Sequence, residues 1–511
     1  MPRYAAIDIG SNSIRMEAAE IVPGSPTRIL ASEREVTRLG ESVFRTGRIS
    51  EEAIALNCAV LARMAAIYRA LDVIGVRAVA TASVREARNQ AEFLARASEA
   101  IGGQAEVVTA REEARLVHAG VESRWPHPRQ RVLIIDIGGG SAEIIGSENG
   151  HLIDAISKPL GAVRLREIFL FSDPPTRREL HQMEDYIRER LAGVAHRFGP
   201  ARWDRFIATS GTASTIAGAI NGAPRSKRGE ADRLRASTSQ VRKLYRKLSQ
   251  LPLDQRLKVR GVGPRRAEII VPGAAVLLHI LEEFQAPSVN YSAAGIRDGI
   301  IADLAARGIG RELAQLNRDQ RKEVERMCLR YDVRLKHARQ VAAMASTLFH
   351  ELQPLHQLSP GYGKLLEAAA YLHDVGHYVN DVSHHKHSYY LVANSDMSGF
   401  TKAELDFIAN LCRYHRKASP SPDHANLRAI GPEERQPLLM LIPLLRIADS
   451  LDRSGEQRIQ SVDCQIRNGQ ALIQLHAAAD IELEQWAAGR SADLFRQVYG
   501  RPMVVTTRPA G

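Results

Sequence analysis

Two glycine-rich turns in this sequence each follow a short apolar run that carries an aspartate near its end. Asp8 precedes Gly10-Ser11-Asn12-Ser13, and Asp136 precedes Gly138-Gly139-Gly140-Ser141. Glycines let backbone N–H groups approach an anion, and hydroxyl and amide side chains add donors, so both turns are predicted to bind phosphate. Bare carboxylates repel phosphate, so we expect the two aspartates to hold Mg²⁺ instead. A third segment, Ser210-Gly211-Thr212-Ala213, follows another apolar run and is also predicted to bind phosphate.

A second set of residues suited to chemistry lies in the last third of the chain and consists of imidazoles and carboxylates. Its members are His337, His373, Asp374, His387, His415 and Asp449. These residue types suit one or two divalent metals, and bringing them from several helices into a bundle core is a common way to build such a site. The neighbours that we expect as substitute ligands, or as residues in contact with the ligands, are His377, His384 and His385.

The elements that position the turns alternate between strand and helix. Buried strands are predicted at Tyr4–Ile9, Arg131–Ile137 and Arg205–Thr209, and amphipathic helices at Glu51–Leu71 and Arg177–Phe198. This alternation indicates two α/β units whose joint lies near residues 125–130. The sequence contains no G-x-x-x-x-G-K-[ST] and no G-x-G-x-x-G, which excludes phosphate binding of the Walker or Rossmann type.

The pattern changes to nearly continuous helix from about Arg311. A proline-rich loop is predicted at Ser419–Pro437, followed by a further apolar helix. Near the end, Asn468-Gly469 stands between alternating residues of Asp463–Leu475, which is a strong hairpin signal. A small α/β tail is therefore expected to close the chain.

Composition restricts the class of protein. The chain has 511 residues, of which 44% are hydrophobic and 25% charged, and this length allows three or four domains. Its formal charge of +11 favours a polyanionic partner, whereas the low aromatic content of 5% argues against nucleic acid as that partner. No apolar run approaches the roughly 20 residues of a membrane helix, so we expect a cytoplasmic protein. The four cysteines form no C-x-x-C pair, which argues against a disulfide framework or a zinc finger.

Six motifs together resemble the exopolyphosphatase and guanosine pentaphosphate phosphohydrolase (Ppx/GppA) family. In chain order they are AAIDIGSNSIRM, ATASVREARN, TAREEARLVHAGV, IIDIGGGSAEII, LGAVRL and ATSGTASTIAGA. The resemblance implies two actin-like α/β domains (ASKHA, ribonuclease H-like) around a cleft, followed by an all-α HD-like domain and the small α/β tail. The expected boundaries are 1–127, 128–308, 309–460 and 461–511.

The resemblance also implies a catalytic glutamate in the E-E-A-R segment, which leaves Glu112 and Glu113 as candidates. Thr109 and Glu112 have the spacing of a capping box, in which Glu112 reaches back to the helix start. Glu113 lies about 100° further round the helix and is free to face a cleft. Glu113 is therefore predicted to be the base, and the family alignment indicates the same residue.

In-line displacement of the terminal phosphate is the mechanism that the resemblance implies. In it, Glu113 activates a water, and Mg²⁺ or Mn²⁺ is held by Asp8, Asp136 and Glu143. Arg85 lies in the arginine-containing segment typical of the family and is predicted to contact the transferring phosphoryl group. Arg164 is a further candidate for that role.

The histidine-rich set resembles the HD phosphohydrolase superfamily. In that superfamily a first His, an adjacent His-Asp pair and a late Asp bind one metal, and further histidines bind a second. The pair is intact here within YLHDVGHYVN, although this region looks degenerate in many exopolyphosphatases. The resemblance implies a metal site and raises a second active site as a hypothesis.

Four functions fit these residues, and release of orthophosphate from polyphosphate is expected as the main one. Hydrolysis of guanosine pentaphosphate needs the same catalytic residues and differs in how a guanine base is held. A sensor that binds nucleotide without turnover would not need an intact Glu113. In the fourth hypothesis the HD-like half is the enzyme, acting on a nucleotide, and the N-terminal half regulates it. The resemblance also implies a homodimer.

Overall fold

The computed structural model describes residues 1–22, 26–200, 202–223, 233–307, 315–417, 420–421, 423–467, 469–477 and 480–509. Two compact units make up the chain, Met1–Ile309 and Gly310–Gly511. The domain boundary predicted at 308/309 lies outside the described residues, and the predicted four-domain division stays a prediction. No helix in the described ranges is long and apolar enough to cross a membrane, and the cytoplasmic location stays a prediction too.

The first unit contains two sheets. Their strands are β1 (Arg3–Ile9), β2 (Ile14–Glu20), β3 (Arg28–Glu35), β4 (Gly75–Ala80), β5 (Ala105–Val107), β6 (Arg131–Ile137), β7 (Ala142–Glu148), β8 (His151–Lys158), β9 (Arg205–Thr209), β10 (Arg235–Ser237) and β11 (Ser288–Tyr291). The first sheet has the order β3-β2-β1-β4-β5, and the second repeats this order as β8-β7-β6-β9-β11, with β10 added at the edge. In both sheets the first two pairs are antiparallel and the next two are parallel.

Thirteen helices accompany these sheets in the described part of the first unit. They are α1 (Leu39–Thr46), α2 (Glu51–Arg69), α3 (Ala82–Glu86), α4 (Gln90–Ile101), α5 (Ala110–Arg124), α6 (Ala162–Phe169), α7 (Arg177–Leu191), α8 (Val194–Arg197), α9 (Ser210–Asn221), α10 (Thr238–Ser249), α11 (Leu253–Arg256), α12 (Ile270–Glu283) and α13 (Ile296–Ala306). Helices α5 and α13 share one apolar core with both sheets, represented by Tyr4, Leu116, Val132 and Ile300. This shared core fixes the two sheets relative to the start of α5, where the predicted base lies.

The second unit is mainly helical. Its helices are α14 (Arg318–Arg330), α15 (Leu335–Glu351), α16 (Gln353–His356), α17 (Gly361–Leu372), α18 (His384–Ala393), α19 (Lys402–Tyr414), α20 (Pro432–Ser450), α21 (Glu482–Gly489) and α22 (Ala492–Tyr499), with 3₁₀ turns at Val375–Tyr378 and Ala425–Ala429. Strands β12 (Ile459–Arg467), β13 (Gln470–Ala477) and β14 (Met503–Pro509) form a third sheet in that order. The predicted HD-like character of the helical part stays a prediction.

Most of the predicted elements are present, with two corrections. The helix predicted at Arg177–Phe198 is divided at Gly193, whose φ of +74° is a left-handed conformation that ends α7 before α8 begins. The proline-rich loop is shorter than predicted, because α20 begins at Pro432, where a missing N–H costs no intrahelical bond. It continues through Pro437, since its apolar face is buried in the core of the second unit.

The hairpin predicted near the end of the chain is confirmed. Strands β12 and β13 are antiparallel and Arg467 pairs with Gln470, which leaves a two-residue connection. Gly469 has a φ of +77°, as such turns require. Asn468 lies outside the described residues.

Candidate active site

The two predicted phosphate-binding turns are the tips of equivalent hairpins. Asp8 pairs with Arg15 in the β1–β2 hairpin, and Asp136 pairs with Glu143 in the β6–β7 hairpin. Each turn begins two residues after its aspartate, so a carboxylate lies at the base of each turn. The repeated sequence unit is therefore a repeated structural unit.

Backbone hydrogen bonds engage carbonyl oxygens of both turns. The Ser11 oxygen accepts from the N–H of Gly40 over 2.7 Å, at the start of α1. The Gly139 oxygen accepts from the N–H groups of Val163 and Arg164 over 2.9 and 3.0 Å, at the start of α6. Carbonyl oxygens would repel an anion, so their engagement favours the N–H groups and side chains of the turns as phosphate ligands.

The turns approach each other closely and contain donors without partners. A Cβ added at Gly140 would lie 2.7 Å from Ala82 Cβ and 2.8 Å from Ser11 Oγ, so only glycine permits this approach. Ser11 Oγ and Asn12 Nδ2 are buried and have no hydrogen-bond partner among the described residues. Such donors cost free energy until an acceptor reaches them, and a phosphate oxygen is a suitable acceptor.

The third predicted segment contributes less than expected. Ser210 lines the cavity between the turns, whereas Gly211 and Thr212 are not among the described lining residues. Thr212 is 1% exposed, and its hydroxyl donates to the Ile137 oxygen over 3.1 Å. A Cβ at Gly211 would lie 2.2 Å from Arg266 Nη2, so this glycine makes room for an arginine that lines the cavity. Contact of Gly211 and Thr212 with phosphate stays a prediction.

Helix α5 presents Glu113 to the cavity. Thr109 Oγ1 accepts from the Glu112 N–H over 3.1 Å, which confirms Thr109 as the N-cap. The Glu112 carboxylate accepts from Arg77 and Arg115 over 3.0 and 2.8 Å, which commits it to a buried ion-pair network. Glu113, the next residue, is 9% exposed and lines the cavity.

Arg85 contacts the predicted base directly. Its Nη1 donates to Glu113 Oε2 over 3.1 Å and to the Val108 oxygen over 2.9 Å. Burial raises the pKa of Glu113 to about 7; the Arg85 guanidinium opposes this rise, and the carboxylates of Asp136 and Asp8 add to it. A carboxylate whose pKa lies near neutrality is suited to accept a proton from water. Contact of Arg85 with a phosphoryl group stays a prediction.

Arg164 is engaged by the protein itself. Its Nε donates to the Gly140 oxygen over 2.7 Å, its Nη2 donates to Glu86 over 2.6 Å, and its guanidinium lies over the Phe44 ring. These contacts position the second turn. A role for Arg164 at the transferring phosphoryl group also stays a prediction.

Three further carboxylates, Asp8, Asp136 and Glu143, line the same cavity. Burial raises the pKa of Asp8, and it raises that of Asp136 to about 6. Burial, with the charges of Glu113 and Asp136, raises the pKa of Glu143 well above its usual value. Asp136 Oδ1 is buried without a hydrogen-bond partner in the described ranges. Ionised carboxylates at such a site need a nearby cation, so the residues fit Mg²⁺.

These carboxylates do not form a closed cage for a metal. In the described part of the chain, triads of His, Cys, Asp or Glu ligand atoms within 4.8 Å of one another occur only in the second unit. Magnesium usually keeps several waters and is bound through one or two carboxylates together with phosphate oxygens. The open arrangement therefore suits Mg²⁺ that arrives with a phosphorylated substrate.

Several cavity arginines were overlooked by sequence reasoning, namely Arg15, Arg266 and Arg297. Close by, burial together with the charges of Arg15 and Arg266 lowers the pKa of Arg34 to about 8. This crowding of like charges is relieved by an anion with several charges. Arg15 carries a signal in the sequence, since it is a cation in an apolar hairpin strand. Arg266 and Arg297 carry none, since only the fold brings these distant segments together.

In the second unit, the structure brings together five of the six predicted metal ligands. His337 lies in the first turn of α15, His373 and Asp374 follow α17, His415 follows α19, and Asp449 lies near the end of α20. Nε2 of His373 lies 3.3 Å from Asp449 Oδ1 and 3.6 Å from Asp374 Oδ1. The predicted constellation is thus one cluster in space.

His387 is the exception. His384, at the start of α18, lies with Nε2 3.6 Å from Asp374 Oδ1, and His377 Nε2 lies 3.5 Å from the same atom. His387 lies one turn, roughly 4.5 Å, further along the helix, and it belongs to neither triad of ligand atoms found in the described residues. The structure thus places His384 and His377 beside Asp374, and His387 as a ligand stays a prediction.

Comparison with known proteins identifies both units. The sequence profile of the Ppx/GppA phosphatase family matches residues 18–308, and that of the Ppx/GppA phosphatase domain III matches residues 320–487. The crystal structure of the Aquifex aeolicus member of the Ppx/GppA family is 30% identical with a TM-score of 0.53, over 61% of this chain and 99% of that chain. An exopolyphosphatase-like protein is 26% identical with a TM-score of 0.56, over 60% of this chain and 98% of its own.

A third structure shares the fold at lower identity. The exopolyphosphatase from Cytophaga hutchinsonii is 24% identical with a TM-score of 0.56, over 60% of this chain and 98% of its own. Together these likenesses confirm the actin-like α/β fold that was predicted for the N-terminal part.

Proposed function

Since the chain belongs to the Ppx/GppA phosphatase family, we propose that its N-terminal cleft removes the terminal phosphate of inorganic polyphosphate, which makes the protein an exopolyphosphatase. Members of this family are hydrolases that act on phosphoanhydrides. The observation that carries the proposal is one cavity lined by Glu113, by both glycine-rich turns and by several arginines. A base, phosphate-binding donors and compensating charge are the groups that such hydrolysis requires.

The lining of the cavity favours a phosphate chain over a nucleoside. Glycine, hydroxyl, carboxylate and guanidinium groups dominate it, and among its described residues the one large apolar side chain is Ile296. A guanine base is bound best by stacking on an aromatic or apolar surface, which this lining offers little of. The cavity has a volume of about 80 Å³, which is enough for a phosphoryl group and several waters.

In the proposed reaction, a water beside Glu113 attacks the terminal phosphorus. The Glu113 carboxylate takes a proton from that water as the new P–O bond forms. The bond from this phosphorus to the bridging oxygen breaks, which releases orthophosphate and leaves the chain one phosphate shorter. Ser11 and Asn12 donate hydrogen bonds to the phosphoryl oxygens, and Arg85 keeps the base oriented.

Magnesium, when bound, supplies charge neutralisation at the transferring phosphoryl group. The residues that would hold it are Asp8, Asp136 and Glu143. Their carboxylates lie in the same cavity as the base, so the residues that hold the metal and the residue that activates water act on one phosphate.

The test is orthophosphate release by the full chain with Mg²⁺, offered long-chain polyphosphate and guanosine pentaphosphate in parallel. We expect faster turnover of polyphosphate, and a decrease of about 100-fold or more in kcat for Glu113→Gln, which keeps the shape but loses the base. The matched control is Glu99→Gln, an exposed glutamate on α4, which should leave kcat unchanged.

The other outcomes each favour a different hypothesis. Preference for guanosine pentaphosphate would make nucleotide hydrolysis the function. Orthophosphate release that persists in Glu113→Gln and is lost in Asp374→Ala would assign catalysis to the second unit. Binding of either substrate without turnover would indicate a sensor.

A further inference from the structure

We infer that the second unit holds a pair of divalent transition-metal ions bridged by Asp374. This site is separate from the proposed active site, and the inference does not depend on the proposed function. It rests on the orientation of five imidazole rings around one carboxylate. The Asp374 oxygens lie 3.5–4.0 Å from Nε2 of His337, His373, His377, His384 and His415.

Two rings are oriented for the first ion. His337 donates from Nδ1 to Asp452 Oδ2 over 2.8 Å, and His373 donates from Nδ1 to the Ala370 oxygen over 2.8 Å. A carbonyl or carboxylate oxygen only accepts, so Nδ1 carries a proton, and the neutral imidazole then has its lone pair on Nε2. The two Nε2 atoms lie 3.8 and 3.3 Å from Asp449 Oδ1. His373 is 1% exposed, yet its Nε2 has no hydrogen-bond partner within the described residues.

Three further rings surround the position of the second ion, and two of them are oriented in the same way. His415 donates from Nδ1 to the Cys412 oxygen over 2.7 Å, and His377 donates to Asp381 Oδ1 over 2.6 Å. His384 has its Nδ1 3.3 Å from the Asp381 carbonyl oxygen. Nε2 of His384 lies 3.2 Å from Nε2 of His415, and Arg416 Nη1 lies 3.3 Å from His384 Nδ1.

Lone pairs that face lone pairs at these distances repel unless a cation lies between them. Every Nε2 in the cluster faces a carboxylate oxygen or another Nε2, so acceptors converge on two points that share Asp374. Ligands about 2.1 Å from one ion lie roughly 3–4 Å from each other, which matches the observed separations. Metal-ligating histidines usually donate their other N–H to a carbonyl or carboxylate, as four of the five do here.

The ligand set indicates the class of metal. Imidazole nitrogens suit zinc, iron, copper and nickel, and the carboxylates also admit manganese, whereas Mg²⁺ prefers oxygen ligands. Two ions bridged by a carboxylate typically lie about 3.5–4 Å apart. The His377 side chain is 41% exposed and that of Asp374 is 26% exposed, so ions reach the cluster from solvent.

The experiment measures metal content in the full, untagged chain, since a histidine tag would itself bind metal. The protein is stripped with a chelator and dialysed against Mn²⁺ with excess Mg²⁺, which competes for sites made only of oxygen ligands. Bound manganese is then counted by mass spectrometry. We expect Asp374→Ala to lose two equivalents relative to wild type, and His384→Ala to lose one.

His387→Ala is the matched control, since it removes an imidazole from the same helix outside the cluster and should retain wild-type content. Equal manganese in wild type and Asp374→Ala, or equal losses in His384→Ala and His387→Ala, would overturn the inference. Circular dichroism checks that the variants fold. An independent measurement uses wild type alone: with two equivalents of Mn²⁺, electron paramagnetic resonance should show a spin-coupled pair, and isolated Mn²⁺ signals alone would refute it.

Discussion

The pKa of Glu113 is the balance of two opposing effects. Burial and neighbouring carboxylates raise the pKa, and the Arg85 guanidinium, 3.1 Å away, lowers it. The result is a carboxylate that titrates at about pH 7, where small changes in its surroundings alter its charge. Arg85 would then act on catalysis through the base that it contacts.

Arg85→Gln should move the acid limb of the pH profile. A base works only when ionised, so wild-type kcat/KM should fall as pH decreases below about 7. Removing the guanidinium removes the effect that lowers the Glu113 pKa, so the limb should move to higher pH by about 1 unit or more. The measurement is kcat/KM for orthophosphate release against pH at saturating Mg²⁺.

Arg96→Gln is the control for this experiment, because Arg96 pairs with Glu51 on the surface and does not line the cavity. The acid limb of the pH profile of Arg96→Gln should coincide with that of wild type. A limb that stays in place in Arg85→Gln would mean that the Arg85 charge does not set the pKa of the base.

Residues that belong to a local pattern were placed correctly from the sequence. Asp8, Asp136 and Glu113 could be predicted to face one cavity because each belongs to a short motif tied to a strand end or a helix start. Arg266 could not, because this residue lies in the turn before α12 and its place depends on packing against Gly211 of α9. His384 and His387 could not be ranked, since the choice depends on where α18 begins.

Helices α5 and α13 cross at unusually short range. A Cβ added at Gly299 would lie 1.7 Å from the Leu116 oxygen, and one at Gly120 would lie 2.1 Å from the Gly295 oxygen. Backbone atoms limit both contacts, so a neighbouring rotamer change does not relieve them. The crossing matters for the cavity because α5 begins near Glu113 and α13 begins near Arg297.

Gly299→Ala should destabilise the first unit and reduce activity. Alanine favours a helix by about 1 kcal/mol over glycine, so propensity alone predicts a more stable protein. The clash acts in the opposite direction, and overpacking of this kind costs about 3 kcal/mol when the backbone has to move. We expect a Tm lower by about 6 °C or more by calorimetry, with a decrease in kcat for polyphosphate.

Gly103→Ala provides the comparison, because a Cβ there would meet nothing within 4 Å. Its Tm should stay close to that of wild type. If both variants melted alike, the close crossing of α5 and α13 would not contribute to stability.

Secondary structure could be predicted where a single pattern of apolar residues, either helical or strand-like, dominates a segment. Strands β6 and β9 have the bounds that the apolar runs predict, and the hairpin of β12 and β13 follows from its turn chemistry. The errors lie where a tertiary contact determines where an element begins or ends. Helix α20 includes part of the segment predicted as a loop, because burial of its apolar face outweighs the effect of two internal prolines. The order of the strands within each sheet could not be predicted from the sequence and is known only from the structure.

The repeat of one sheet topology explains why a single cavity receives two glycine-rich turns. Each sheet supplies one hairpin, and the shared core of α5 and α13 holds the hairpins close enough for Gly140 to approach Ser11. The sequence as a whole adds a formal charge of +11 around this arrangement. Net positive charge and cavity arginines act on the same substrate at different distances.

Salt should therefore weaken capture of a long polyphosphate more than it slows the chemical step. Long-range attraction is screened when the Debye length falls from about 10 Å at 0.1 M salt to a few ångströms near 1 M, whereas contacts inside the cavity are screened much less. Between about 0.05 and 0.5 M NaCl we expect KM for long-chain polyphosphate to rise about tenfold, with kcat within about twofold. The measurement is initial orthophosphate release at constant free Mg²⁺. Tripolyphosphate, which reaches little beyond the cavity, should show a smaller rise in KM. An equal rise for both substrates would mean that the cavity arginines, rather than the charge of the whole chain, determine capture.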